Sequence, residues 1–181
     1  NTTVRACHAA LALLGVAVWT LPLTRIQTPL RIDFLGLGQG DCSVIQTPGG
    51  RVILIDGGPP EREREDMTAP ALAEFLASQG ISRIDLVVLS HPEADHIGEL
   101  EAMAQRYPIA CVLEGTRNKD TQAYRNFVET IAQKNIPREP ARPGTRIDVE
   151  PGITAWVLFP DEDAMYKEEE VNELSIVLLL R

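Results

Sequence analysis

Three kinds of apolar patterning run along the chain. Ala9 to Leu23 is almost wholly apolar, and residues 6–24 contain no Lys, Arg, Asp or Glu. That length suits a bilayer span, with Trp19 at an interface. After a short linker, Gln27 to Pro29, the alternation of Leu30-Arg31-Ile32-Asp33-Phe34 predicts a half-buried strand. Ser43 to Gln46 and Arg51 to Ile55 predict two more, joined by Thr47-Pro48-Gly49-Gly50 as a hairpin turn. Helical periodicity then covers Ala69 to Gln79 and stops at Gly80. The apolar run Ile84 to Leu89 predicts a buried strand, followed by a helix over Glu99 to Arg106 and a short strand over Ala110 to Leu113. Thr121 to Lys134 predicts a helix with Tyr124, Phe127 and Ile131 on one buried stripe. Pro137, Pro140 and Pro143 mark an extended connector. Ile153 to Phe159 and Ile176 to Leu180 read as strands flanking an acidic loop, Pro160 to Glu170. Hairpins first and strand–helix alternation later predict an α/β chain with a mixed sheet.

The strand ending at Leu89 runs straight into four metal-ligand side chains within six residues: His91, Glu93, Asp95 and His96. On an extended segment His91, Glu93 and Asp95 share a face. Asp95 and His96 meet one ion only if the backbone turns there, which Gly98 favours. A solvated strand-to-helix loop is the plainer alternative, but imidazoles and carboxylates at this density suit a divalent ion. The helical His-Glu-x-x-His spacing of zinc proteases is absent, and Pro92 opposes a helix interior. Gly36, Gly38 and Gly40 predict a bend where backbone approaches a neighbour closely. They are not a dinucleotide fingerprint, since no helix pattern begins there. Asp56-Gly57-Gly58-Pro59 ends the third strand.

Charge narrows the partners. The chain carries 17 basic and 26 acidic side chains, net −9, and residues 1–25 hold only Arg5 and Arg25. Bulk charge therefore does not hold nucleic acid here, because phosphate contact depends on Lys and Arg. Any DNA must be held by a local patch and the metal, or presented by another part of the protein. Arg138, Arg142 and Arg146 are the local basic cluster, a surface loop first and a phosphate contact second. Glu61 to Asp66 reads as a solvated charge run. Cys7, Cys42 and Cys111 follow no CxxC spacing and read as small buried or membrane residues.

The loop His91-Pro92-Glu93-Ala94-Asp95-His96 resembles the metallo-β-lactamase signature His-x-His-x-Asp-His, with Glu93 where the second His usually stands. Phe34-Leu35-Gly36-Leu37-Gly38-Gln39-Gly40-Asp41-Cys42-Ser43 resembles the Val-Gly-Gln-Gly-Asp-Ser entry of the ComEC-type competence proteins. Val171-Asn172-Glu173-Leu174-Ser175-Ile176-Val177-Leu178 is similar to their Asn-x-x-Ser-Leu-Val-Leu strand. The three motifs stand in the right order over residues 30–181.

That resemblance implies a four-layer αββα sandwich with a metal site at one edge between two sheets. It implies one or two divalent ions that lower the pKa of a water, held by His91, Glu93, Asp95 and His96, with Asp95 also orienting the nucleophile. Asp41 and Asp56 then hold the site in shape. Glu93 adds a hard oxygen donor and turns preference towards Mn²⁺ or Mg²⁺ while leaving Zn²⁺ open. The domains expected are a membrane segment, 1–25, and a metallo-β-lactamase-like domain, 26–181, whose later family motifs are missing. A segment so truncated is expected to bind metal weakly. The implied role is a nuclease in DNA uptake, degrading the strand not imported, with DNA, the membrane and other competence or channel components as partners. No nucleotide cofactor is expected. The domain would sit at the plasma (inner) membrane on the extracytoplasmic side. The alternatives are a lactamase- or thioesterase-like hydrolase of small substrates, and a non-catalytic channel scaffold or DNA-binding domain.

Overall fold

The hairpin at Thr47–Gly50 forms, with the Gly50 amide donating to the Thr47 carbonyl at 2.9 Å. It sets the register of three antiparallel strands, β1 (Arg31–Phe34), β2 (Ser43–Gln46) and β3 (Val52–Ile55), so that Ile32, Ile45 and Ile53 line up on one face. β3 then pairs in parallel with β4 (Leu86–Leu89), β4 with β5 (Val112–Glu114), and β5 with β6 (Arg138–Pro140). Parallel neighbours need long crossovers, and these carry α1 (Leu72–Ser78), α2 (Ala94–Ile97), α3 (Leu100–Arg106) and α4 (Gln122–Gln133). Strands β7 (Arg146–Glu150), β8 (Ile153–Phe159) and β9 (Val177–Leu180) form a second, antiparallel sheet. This computed structural model describes residues 28–38, 40–60, 71–115, 120–161 and 174–181. The apolar stretch 6–24 and the charge run 61–66 lie outside them. Among the described residues no helix is long and apolar enough to cross a membrane.

The all-apolar sequence of β4 follows from burial on both faces. Val87 points into the core beneath the helices, with Leu54, Val112, Leu76, Met103 and Phe127. Its neighbour Val88 points the other way, into the core between the sheets, with Ile53, Leu113 and Val157. Helices, six-stranded sheet and three-stranded sheet are thus three layers of the expected αββα order among the described residues. The α4 stripe holds: Phe127 and Ile131 are fully buried, and Thr121 caps the helix by accepting the Tyr124 amide at 3.1 Å.

Two expectations change. The proline-marked connector contains β6, which pairs through Arg138–Pro140 at the sheet edge, where a missing N–H is tolerated. The glycine series also divides, for a side chain at Gly36 would meet nothing, whereas one at Gly40 would strike the carbonyl of Asp95.

One contact ties the two sheets together at the hairpin. The Thr47 hydroxyl and the Gly49 amide donate to the two carboxylate oxygens of Glu150, at 2.7 and 3.0 Å. A Cβ at Gly49 would overlap that carboxylate. Glu150→Ala should cost about 1–3 kcal/mol in urea unfolding. Gly49→Ala displaces the same group, so the double variant should be no less stable than the weaker single one. Additive losses would show that the two positions do not share the contact.

Candidate metal centre

Two strand ends and a one-turn helix meet at the carboxyl edge of the parallel strands. β3 delivers Asp56, whose backbone sits in the left-handed region (φ 57°) and whose side chain is buried, 3% exposed. β4 delivers Ser90 and His91. The chain then turns through the one-turn helix α2, which carries Asp95 and His96. The alternation expected to align His91, Glu93 and Asp95 stops at Glu93, the extended residue before that helix. Gly98 is not the turning residue, since its backbone is ordinary right-handed helix. Its lack of a side chain serves packing instead, because a Cβ there would strike Pro59 and Pro60. Gly40 does the same for the entry motif, which lies against Asp95.

Hydrogen bonds determine which nitrogen each imidazole presents. Asp56 accepts the Ser90 amide at 2.7 Å on one oxygen. On the other it accepts the Ser90 hydroxyl at 2.6 Å and His96 Nδ1–H at 2.8 Å. The Ser90 hydroxyl proton is thereby committed, so its oxygen is left to accept from His91 Nδ1–H at 3.0 Å. Ser175, just before β9, offers a second oxygen to the same Nδ1 at 3.1 Å, and the Ile176 amide reaches the Ser90 carbonyl at 3.3 Å. In each neutral imidazole Nε2 is therefore the nitrogen left with a lone pair. Their rings lie side by side, centroids 3.9 Å apart.

Charge separates the two histidines. Burial pushes the His91 pKa down, helped by His96 and opposed by Asp56, Glu93 and Asp95. Burial also pulls on His96, but the hydrogen bond and charge of Asp56, with Asp95 and Asp41, outweigh it and raise its pKa. Asp41 itself is exposed, and its carbonyl accepts the Gly58 amide at 3.0 Å.

These residues suit a divalent ion in donor type and in tautomer. His96 Nε2 stands 3.7 Å from an Asp95 carboxylate oxygen, close to the roughly 3.4 Å between two ligands of a tetrahedral ion at about 2.1 Å bonds. They form a partial set, since among the described residues no three His, Cys, Asp or Glu side chains surround one point. The structure brings His91, Asp95 and His96 together, with the Glu93 charge acting on His91. Ser90 and Ser175 were not legible as site residues. Ser90 lies beside the motif, but Ser175 reaches His91 across 84 positions of sequence.

In the metal-free protein His96 should titrate above the ordinary histidine value. The ionic contribution of its pairing with Asp56 is complete below about pH 6.5 and is lost as pH rises through the elevated pKa, while the Nδ1–H hydrogen bond stays. Metal must displace that proton, so affinity should climb with pH across the same interval. Asp56→Asn should lower the His96 midpoint in an NMR titration; an unmoved midpoint would remove Asp56 as its anchor. Ser175→Ala should weaken metal binding about tenfold by calorimetry while leaving the His96 midpoint in place.

The chain is 32% identical over 89 residues to ComE operon protein 3 of Bacillus subtilis, a match covering 43% of this chain and 12% of that protein. It is 35% identical over 88 residues to a UPF0173 metal-dependent hydrolase of Cupriavidus metallidurans, covering 48% of this chain and 28% of that one. The chain thus spans well under a third of the length of either relative. CmlA, a diiron β-hydroxylase from Streptomyces venezuelae, shares the fold at TM-score 0.51 and 15% identity, over 85% of this chain and 28% of CmlA. The family model of the metallo-β-lactamase superfamily matches residues 35–163, and the chain belongs to that superfamily.

Proposed function

We propose that this chain is the metal-dependent hydrolase domain of a membrane DNA-uptake protein, and that it cleaves phosphodiesters of the strand that is not imported. The observation that carries the hydrolase reading is the pair of fixed tautomers. Asp56, Ser90 and Ser175 engage both Nδ1 atoms, which leaves Nε2 of His91 and of His96 for a metal, that of His96 beside the Asp95 carboxylate. The competence reading rests on the likeness to ComE operon protein 3 and on the Gly38-Gln39-Gly40-Asp41 and Ser175-Ile176-Val177-Leu178 stretches. The apolar stretch 6–24 would anchor the domain at the plasma membrane, facing away from the cytoplasm.

A divalent ion, Mn²⁺ or Zn²⁺, supplies Lewis acidity that makes water nucleophilic near neutral pH. Asp95 and His96 would hold it, and His91 and Glu93 would have to close on the same ion to complete the set. Asp95, half exposed at the edge of the site, is the group placed to accept a proton from water and orient it. Asp56 keeps His96 in its ligating tautomer and does not touch substrate.

The test is Mn²⁺-dependent cleavage of linear DNA by the full-length protein's soluble portion, compared with a His91→Ala, Asp95→Ala double variant. Cleavage by the parent, reduced on the order of 10²–10³-fold in the variant, is expected. Hydrolysis of lactams or thioesters without DNA cleavage would move the substrate to small molecules. A folded, metal-loaded protein inert towards all of these would be a scaffold.

A further inference from the structure

Between the six-stranded sheet and β7 the two sheets part around a cavity of about 920 Å³, within the size range of small-molecule sites. Leu86, Cys111 and Leu113 from the six-stranded sheet and Ile147 and Val149 from β7 give it an apolar floor. Arg51, Arg83, Arg142 and Arg146 stand around it, with the carboxylates of Asp85, Glu139 and Asp148. Four guanidinium groups against three carboxylates leave one net positive charge, in a chain whose overall charge is −9.

The pairing within that rim is uneven. Arg51 and Arg83 share the single carboxylate of Asp85, at 2.7 and 2.8 Å. Arg146 pairs with Asp148 at 2.7 Å and lies 5.6 Å over the Trp156 ring. The basic cluster seen in sequence also separates, because Arg138 turns away to Glu114. Arg142 and Glu139 are both exposed at the cavity, and neither has an ion-pair partner among the described residues.

The geometry points to a second binding site here, for an amphipathic monoanion whose apolar tail lies on Leu86, Leu113, Ile147 and Val149 and whose carboxylate head meets Arg142. A nucleic-acid strand fits the rim poorly, since it needs a succession of cations free to replace counterions. A neutral apolar ligand leaves Arg142 without an acceptor at the mouth. A single anionic head on an apolar body matches the floor and the rim's net positive charge, with Arg142 the guanidinium that no carboxylate already holds. The cavity borders the amino ends of β4 and β5 and the segment that follows β6, and neither Asp95 nor His96 lines it, so this site stands independently of the hydrolase reading.

The experiment is an NMR titration of the isotope-labelled protein with decanoate, decanol and acetate in parallel. Decanoate should give saturable shifts at Cys111, Leu113, Ile147 and Val149, about tenfold weaker in Arg142→Gln. Decanol and acetate should bind at least that much more weakly. Arg106→Gln, in the last turn of α3 and outside the cavity, should leave decanoate binding unchanged. Arg142 is exposed, so its replacement leaves the core intact. Three results would each overturn the site: no decanoate binding, affinity untouched by Arg142→Gln, or shifts that follow the exposed Leu158 and Leu179 of the second sheet.

Discussion

The buried carboxylate of Asp56 is the constraint on which the rest of the site depends. A non-glycine residue in the left-handed region costs on the order of 1–3 kcal/mol, and burial of a carboxylate adds to that. Three hydrogen bonds, from the Ser90 amide, the Ser90 hydroxyl and His96, offset both, at about 1.5–3 kcal/mol each for a charged acceptor. The strained backbone also presents the Gly57 amide to the His96 carbonyl at 2.6 Å. The end of β3 is therefore joined to the metal loop through both side chain and main chain. Without Asp56 the Ser90 proton is uncommitted, and the tautomer of His91 is no longer specified.

What could be read from the chain was local. Ile-Val-Leu runs bounded by Pro and Gly marked β2, β3, β4 and β8, and Thr121 marked the start of α4 within one residue. Those features depend on contacts a few positions apart. β6 and β7 escaped for different reasons: β6 is exposed throughout, whereas β7, Arg-Ile-Asp-Val-Glu, alternates as β1 does but follows directly on the proline-marked connector. Their pairing comes from partners elsewhere, Val112 to Glu114 for the one and β8 for the other. The metal-ligand types were evident as a cluster, yet their geometry was not, because period-two reasoning fails once α2 begins.

Tyr124 shows how a packing residue acquires a polar duty that periodicity cannot show. It lies against the helix-side core as its spacing suggests. Its hydroxyl also donates to Glu114 at 3.1 Å and accepts from Arg138 at 2.9 Å. Burial and the Glu114 charge push its pKa up to about 12, so the phenol keeps its proton near neutral pH and is unsuited to act as a base. The cluster joins α4 to the carboxyl end of β5 and to β6. Glu114 is thus satisfied although it is only 7% exposed.

The acidic balance of the chain looks at first like an argument against any phosphate substrate. Around the metal loop it works otherwise. Burial lowers the His91 pKa, while Asp41, Asp56, Glu93 and Asp95 are grouped about the two imidazoles, as their effects on His91 and His96 indicate. Such a site attracts a divalent cation before anything else, and a bound cation inverts the local field that an approaching anion meets. Carboxylates that repel phosphate from the bare loop are the groups that bring in the charge able to bind it. Net charge of the whole chain describes solubility and long-range steering; under the proposed function, affinity for a phosphate at this edge would be governed by an ion held by those carboxylates.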